Sequence, residues 1–418
     1  MRVILSAMLA SAVALAGTTM AAAQETDPNN PVEPTIIPLA FEFSAEGLAG
    51  PGAVQVRAKI EDAQFIGIGE DHGFADAPAL IAALASEGAE HGFDTYAIEV
   101  GPWSADWLRD QLASGGVEGY GEALRGRPLA IPFLSMREEA EVASAFLEEG
   151  KLWGIDQEFI GSPLVHLEWF VQRIGDADGG DELRSWLTAE REAFASGNQP
   201  AVFMASAGPD KWGRLREIFA RDGEALELVD ALELSQSIYI ANFTGRGFDN
   251  NTDRVALIRE YFLDQYASAQ GEGVAAPRVL YKMGAVHVGR ATSPMKTFDI
   301  GSLLEGMAAA NGMEALHIAY LPIGGEQLSV RPSADGAFRV SPVSRGEQLA
   351  DQLQQAGVDM DVVREGEGHF IIDLEPVRRA MGNRGLNEAD DMFRFVLLGF
   401  DYLVTTNQGR PGTPLAER

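Results

Sequence analysis

Seven short, mainly apolar runs recur along this chain, and longer segments with helical patterns separate most of them. Between the first two runs, Leu80, Ile81 and Leu84 fall on one face of a helix, and Gly92 is a suitable stop signal. Such alternation predicts an α/β fold with a mostly parallel sheet flanked by helices, which binds ligands at the carboxyl ends of its strands. The runs are residues 65–68, 95–100, 152–155, 279–283, 316–321, 370–374 and 402–405.

The chain begins with the pattern of a secretory signal peptide. Arg2 precedes an apolar run from about residue 3 to residue 16, and small residues lead to a cleavage site near Ala23. The run is too short for a stable membrane span, and no later stretch reaches about 18 apolar residues. We therefore expect residues 1–23 to be a signal peptide and the rest to lack an integral membrane segment.

The remaining residues divide by composition. Residues 24–45, rich in Pro and Asn, are expected to form an extended lead-in, and residues 407–418 a disordered tail. Residues 46–161 and 273–406 carry the strand patterns and make up the predicted α/β core. Residues 162–272 are rich in Glu, Ala, Leu and Arg with few strand patterns, which predicts a helical insertion that forms a lid or cap.

Charge and cysteine content exclude several classes of function. The formal net charge is -30, and it becomes -31 when residues 1–23, with Arg2 and no acid, are removed. Such an acidic surface repels nucleic acid and anionic lipid, so we expect a small-molecule substrate. The chain has no cysteine, which excludes disulfides and a thiolate nucleophile. With the signal peptide, this favours a periplasmic or secreted bacterial protein.

Polar side chains follow four of the predicted strands. Strand one is followed by Glu70, Asp71 and His72; strand two by Glu99; strand three by Asp156; and strand four contains Lys282 and is followed by His287. The carboxyl ends of neighbouring parallel strands meet at one edge of a sheet, so these groups are expected to share a pocket. We assign His72, Glu99, His287 and Glu70 to catalysis.

Several basic residues have two readings. Arg254 lies on the apolar side of its helix, where it either pairs with a core acid or reaches into the pocket to hold an anionic or carbonyl oxygen. Lys282 and Arg290 have the same two readings. We assign Arg254, Lys282, Asp156 and Arg290 to substrate binding.

The chain resembles the erythromycin esterase-like superfamily, which includes ChaN-like proteins, and most closely its exported members. The ordered motifs are GEDHG, AIEVG, EEAEVASAFLEEGKLWGIDQEF, DRVALIREYF, YKMGAVHVGR and FDIGSLL, from about residue 60 to residue 305. A looser match continues through FIIDLEPVR to FDYLVTT. The resemblance implies a water-activating site of His72, Glu99 and His287, with the family's helix arginine at Arg254.

Two turns depart from the esterase pattern. The turn from Gly69 to Gly73 is one residue shorter, closer to the spacing of ChaN-like members. The His-Asn-x-His turn of the family is Gly284-Ala285-Val286-His287 here, without its first histidine. The resemblance therefore favours a hydrolytic site over macrolide hydrolysis in particular.

Three hypotheses follow for this site. The leading one is an esterase-like hydrolase without a cofactor, in which His72 or His287 takes a proton from water, Glu99 orients the imidazole, and Arg254 or Lys282 stabilises the acyl oxygen. The second uses both histidines with Glu70, Glu99 or Asp156 as ligands of a divalent metal. The third, from the ChaN-like resemblance, is a periplasmic protein that binds haem or another ligand through His72 or His287.

Overall fold

A computed structural model describes residues 36–127, 129–271, 273–330 and 337–416. The signal peptide predicted at residues 1–23 lies outside the described residues. The strands of this part of the chain are β1 (Leu39–Ser44), β2 (Gly47–Ala49), β3 (Ala63–Glu70), β4 (Phe93–Ile98), β5 (Leu152–Gly154), β6 (Arg278–Gly284), β7 (Glu314–Tyr320), β8 (Glu326–Val330), β9 (Phe338–Pro342), β10 (His369–Asp373) and β11 (Tyr402–Thr405).

The α-helices are placed mainly between these strands. They are α1 (Ala53–Ile60), α2 (Asp76–Gly88), α3 (Pro102–Leu124), α4 (Arg137–Ala143), α5 (Pro163–Ile174), α6 (Gly180–Ala195), α7 (Phe203–Ser206), α8 (Pro209–Ile218), α9 (Gly223–Phe243), α10 (Gly247–Gly271), α11 (Ala285–Val288), α12 (Ile300–Ala310), α13 (Gly346–Gln355), α14 (Asp361–Glu365), α15 (Leu374–Glu388) and α16 (Asp391–Gly399). Within the described ranges, no helix combines the length and apolar character of a membrane span.

Nine strands form one sheet in the order β2-β1-β10-β11-β7-β3-β6-β4-β5, and β8 and β9 form a separate hairpin. The six strands from β11 to β5 are parallel, whereas β10 is antiparallel to both of its neighbours. This arrangement confirms the predicted α/β fold. All seven predicted runs are strands, and the sequence reading missed the edge strands β1 and β2 and the hairpin.

Apolar layers cover both faces of the sheet. Ile66 and Ile68 of β3 belong to one buried cluster, whereas Phe65 belongs to the other. All eight residues of β3 are buried, as expected for a central parallel strand. Gly67 and Gly69 make room for the rings of Tyr281 and Phe400, since a Cβ at either position would lie within 3 Å of those rings. These glycines therefore serve packing in the sheet.

The described part of the predicted insertion, residues 162–271, is helical and has its own apolar core. α5 to α10 occupy it, and Phe170, Trp212, Leu228 and Leu232 are among its buried residues. Polar contacts join it to the sheet, including a hydrogen bond from the N–H of Glu158 to the Oγ of Ser235, 3.0 Å long. Whether this segment moves as a lid stays a prediction.

Two predicted boundaries need correction. Residues 39–44, assigned to the extended lead-in of residues 24–45, form β1, which pairs with β10 and β2, so the core begins earlier. The described part of the tail, residues 407–416, packs against the core although we predicted disorder for residues 407–418. The N–H of Gly412 donates to the carbonyl of Gly73, and the N–H of Ala75 donates to the carbonyl of Arg410. Specific backbone pairing therefore orders a segment whose polar, Gly- and Pro-rich composition suggested disorder.

Candidate functional site

The carboxyl ends of four adjacent parallel strands form the candidate site. Glu70 ends β3, and His72 lies two residues further along the chain. Glu99 directly follows β4, Asp156 lies two residues after β5, and Gly284 ends β6. Because β3, β6, β4 and β5 are neighbours in the sheet, these positions share one edge of it.

Two imidazoles face opposite oxygens of one carboxylate. Nε2 of His72 lies 3.4 Å from Oε2 of Glu99, and Nε2 of His287 lies 3.7 Å from Oε1 of Glu99. The His72 side chain is 24% exposed, whereas those of His287 and Glu99 are 4% and 9% exposed. The sheet thus brings together three of the residues assigned from sequence, and His72 is the most accessible of them.

A second carboxylate contacts Nδ1 of each imidazole, on the side of the ring opposite Glu99. Nδ1 of His72 lies 2.9 Å from Oε1 of Glu70, and Nδ1 of His287 lies 2.8 Å from Oδ2 of Asp299. A proton on Nδ1 satisfies these carboxylates and directs Nε2 towards Glu99 and the cavity. Sequence reasoning missed Asp299, which caps the start of α12 by accepting from the N–H of Ile300. The motif FDIG carries this capping signal.

Glu99 is held as a carboxylate by its surroundings. Arg254 donates to Oε1 at 2.8 Å, and the N–H of Gly284 donates to Oε2 at 2.6 Å. Burial raises the pKa of Glu99, but the charges of His72, His287 and Arg254 outweigh it and lower the pKa to about 2. Glu99 is therefore ionised throughout the physiological range.

The carboxylates around the two histidines raise the proton affinity of both. Burial lowers the pKa of His72, but the charge of Glu99 and the hydrogen bond to Glu70 raise it above its ordinary value. For His287, burial and the charge of Arg254 lower the pKa, and the opposing effect of Asp299 and Glu99 is larger, so the net pKa is raised. Both imidazoles therefore hold a proton more tightly than a free histidine does, and a histidine can act as both acid and base.

Lys282 lies below this group and does not line the main cavity. Its Nζ donates to Oε1 of Glu70 and lies 2.8 Å from Oε1 of Glu139 on α4. We therefore remove Lys282 from the substrate-binding set, because both carboxylates it contacts are buried and it is itself 5% exposed. Sequence reasoning missed Glu139, since its motif REEAEVA reads as a solvated helix.

Arg254 and Asp156 form an ion pair that lines the cavity. Arg254 Nε donates to Oδ1 of Asp156 at 2.9 Å, and its NH2 group contacts Asp156 and Glu99. Arg254 therefore joins helix α10 to two strand ends. Arg290, in contrast, contacts Asp401 and Glu305 and does not line the cavity, so we remove it from the substrate-binding set as well.

A cavity of about 840 Å³ opens above the imidazoles. Its apolar walls come from the loops before α4, after β5 and after β7, and from helices α13 and α16. None of the cavity-lining residues described is Ser, Thr or Cys. The apolar contacts include Phe133, Phe159, Leu321, Leu349, Phe393 and Val396. A volume of this size suits a drug-sized molecule.

Phe133 covers one face of His72. The two rings stack with 3.8 Å between their centroids and an interplanar angle of 14°. Phe133 adopts a φ of 58°, a conformation that non-glycine residues rarely take. The sequence IPFLSM gave no signal for this contact, because neither the loop path nor the positive φ follows from composition.

A second polar cluster near α3 has the residue types of a hydrolytic triad but not its geometry. Ser104 Oγ and Glu158 Oε2 both contact Nε2 of His166, at 3.3 Å and 2.9 Å. In a triad the nucleophile and the acid contact opposite ring nitrogens. All three residues are buried outside the cavity. Glu158 also accepts from the N–H of Trp103, so this cluster fixes the start of α3.

The site residues do not fit the two cofactor alternatives. In the part of the chain that the structure describes, no three His, Cys, Asp or Glu side chains are arranged to hold a metal ion. Arg254 already supplies a cation at Glu99 and Asp156, where a divalent metal would have to bind. Nε2 of His72 and of His287 lies 3.4 Å and 3.7 Å from Glu99, so a haem iron bound at either nitrogen would have to displace that carboxylate.

Comparison with solved structures finds the same fold at low sequence identity. A mutant of the erythromycin esterase EreC in its open conformation is 14% identical with a TM-score of 0.55, and the match covers 88% of this chain and 98% of that one. A Bacillus cereus protein is 13% identical with a TM-score of 0.53, covering 90% of this chain and 96% of that one. No family model and no curated protein matches the chain. These similarities establish the fold alone.

Proposed function

We propose that this chain is a hydrolase that cleaves an ester or related acyl bond of a small molecule with water activated by His72. The observation that carries the proposal is the pair of imidazoles directed at Glu99 in the wall of a large cavity. The structural similarity to an erythromycin esterase supports the same class of reaction.

Water is the nucleophile in this proposal because the cavity wall offers no better one. Its described residues include no Ser, Thr or Cys, and the phenol of Tyr239 has its pKa raised by burial. His72 is the base because it is more exposed than His287. Its Nδ1–H donates to Glu70, which leaves the Nε2 lone pair for a water proton.

The reaction proceeds by addition and elimination. The water oxygen bonds to the acyl carbon while its proton passes to Nε2 of His72, and the carbonyl electron pair moves to the acyl oxygen. When the tetrahedral intermediate collapses, the bond to the leaving oxygen breaks and that oxygen takes the proton from His72. Glu99 and Glu70 stabilise the imidazolium in between, and Glu70, at the opposite ring nitrogen, has the position of the acid in a catalytic triad.

Arg254 is the group that stabilises the acyl oxygen. Its side chain is 24% exposed and lines the cavity while Asp156 fixes its orientation. A preoriented cation of this kind lowers the barrier because it needs no reorganisation when charge develops. The apolar walls opposite the site favour a substrate with a substantial apolar surface.

A hydrolysis screen tests the proposal. Esters, lactones and amides are offered to the protein with and without EDTA, and the best substrate is used for variants. We expect His72→Gln and Glu99→Gln to lower kcat by about 10² or more, whereas His91→Gln, outside the cavity lining, leaves it unchanged. EDTA should have no effect. Equal rates in wild type and His72→Gln would contradict the proposal, and loss of activity with EDTA that zinc restores would favour the metal-dependent alternative.

A further inference from the structure

A buried chain of four alternating charged groups runs from helix α4 to the base. Glu139 lies 2.8 Å from Nζ of Lys282, Lys282 donates to Glu70, and Glu70 lies 2.9 Å from Nδ1 of His72. Glu70, Lys282 and Glu139 are at most 5% exposed. These side chains come from distant parts of the sequence, since Lys282 and Glu70 are 212 residues apart.

We propose that Glu139 is a positioning residue that acts through Lys282 and Glu70 to set the pH at which His72 releases its proton. This inference rests on the proposed function for one point, the role of His72 as the base. The coupling itself concerns only these four side chains and exists with or without a substrate.

One cation serves two buried carboxylates in this chain, and this is the physical basis of the coupling. When Glu139 is neutral, the charge of Lys282 balances Glu70 alone, and Glu70 acts weakly on His72. When Glu139 is ionised, it shares Lys282, and one uncompensated negative charge remains in the chain. Because buried charges are poorly screened, that charge stabilises the His72 imidazolium.

Glu139 is placed to change its charge in the working range of the base. Its Oε2 has no hydrogen-bond partner among the described residues, so no hydrogen bond compensates that atom for its lost hydration. Burial, opposed by the charge of Lys282, raises the pKa of Glu139 to about 7. Because Glu139 and His72 are linked through Lys282 and Glu70, a change of charge on either group changes the proton affinity of the other.

Other ionisable groups act on the same chain and are left unchanged in the test. Tyr96 of β4 adjoins Lys282, and burial raises the pKa of its phenol well above the ordinary value. Asp71 follows Glu70 along the chain, and burial raises its pKa. On the cavity side, Glu99 lies next to His72 and also contacts Arg254 and His287. These groups set the baseline pKa of His72, and Glu139 is the one proposed to shift it.

An NMR titration of the His72 imidazole tests the coupling without a substrate. Glu139→Gln removes the negative charge at neutral and higher pH, so we expect the pKa of His72 to fall, by on the order of one unit. The control is Glu141→Gln, an exposed position on the same helix, which should leave the pKa unchanged. Glu139→Asp keeps the carboxyl group and should retain part of the shift.

Two further measurements make the outcome decisive. In wild type, the His72 shift should follow two steps, one of which coincides with the titration of a glutamate carboxyl carbon; this needs no variant to fold. With an active substrate, the acid limb of kcat/KM should move to lower pH in Glu139→Gln, by the same amount as the pKa. A single-step wild-type titration together with an unchanged pKa in folded Glu139→Gln would overturn the inference. A shifted pKa in a protein without hydrolytic activity would support the coupling and refute the proposed function.

Discussion

The Phe133 ring stacks on the His72 imidazole at 3.8 Å, and Phe133 holds this position with a φ of 58°. The left-handed conformation costs a non-glycine residue about 1 kcal/mol or more. The surrounding fold therefore maintains a strained residue directly against the proposed base, which is a common feature of functional sites.

Two substitutions at Phe133 distinguish the effect of its backbone strain from the effect of its ring contact with His72. Phe133→Gly and Phe133→Ala both remove the ring, but only glycine accepts the positive φ without strain. We expect the Gly variant to be more stable than the Ala variant by about 1 kcal/mol in urea unfolding. Both should lose about tenfold in kcat, because the His72 ring is no longer fixed. An Ala variant at least as stable as the Gly variant would contradict the strained backbone.

The acid side of the pH dependence of hydrolysis should reflect the protonation of His72. The base acts when its imidazole is neutral, and its pKa is raised chiefly by Glu99 and Glu70 against the effect of burial. We expect kcat/KM to rise with pH through a value above the ordinary histidine pKa of about 6.5. Glu99, with a pKa of about 2, should add no limb. Rates measured from pH 5 to pH 9 check this, and a limb below the ordinary value would contradict it.

The sequence predicted the parts of the site that follow strand ends. His72, Glu99 and Asp156 each come one or two residues after a buried strand, and parallel strands place such residues at one edge. The sheet order, with β6 between β3 and β4, then brings His287 to the same edge. These positions follow from local pattern plus one topological rule.

The remaining site residues depend on long-range contacts that local pattern does not encode. Glu139 reads as one acid among several on an exposed helix, yet it is buried beside Lys282. The two readings of Lys282 and Arg290 were open from sequence, and the structure pairs both with acids and leaves both out of the cavity lining. Whether a basic side chain reaches the cavity depends on how deeply its Cα is buried in the fold. Sequence spacing does not predict that depth.

Replacing Lys282 by methionine should destabilise the protein strongly. The substitution leaves Glu70 and Glu139 buried without their cation. Removal of one partner of a buried ion pair costs about 3 kcal/mol or more. Lys59→Met is the matched control, because its pair with Glu314 is exposed and worth about 0.5 kcal/mol. Urea unfolding at neutral pH measures both, and equal small effects would contradict the buried charge balance.

The C-terminal segment should contribute to stability through Arg410. Its Nε donates to Oδ1 of Asp76 at 2.9 Å, and Asp76 is 1% exposed. Burial raises the pKa of Asp76, but bonds to His369 and Arg410 outweigh it, so the pKa is lowered. A lowered carboxyl pKa gives stability that is present above the unfolded value of about 3.9 and is lost as pH falls through the folded pKa.

The Arg410 side chain is 68% exposed, so solvent screens the pair. We therefore expect Arg410→Ala to lower the free energy of unfolding by about 1 kcal/mol at neutral pH, and by less in acid, where Asp76 becomes protonated. Arg379→Ala is the control, since its pair with Glu375 is exposed on α15. Urea unfolding at several pH values checks both variants. An Arg410→Ala variant as stable as wild type at neutral pH would mean that Arg410 does not stabilise the start of α2, because the buried Asp76 carboxylate would then need no arginine.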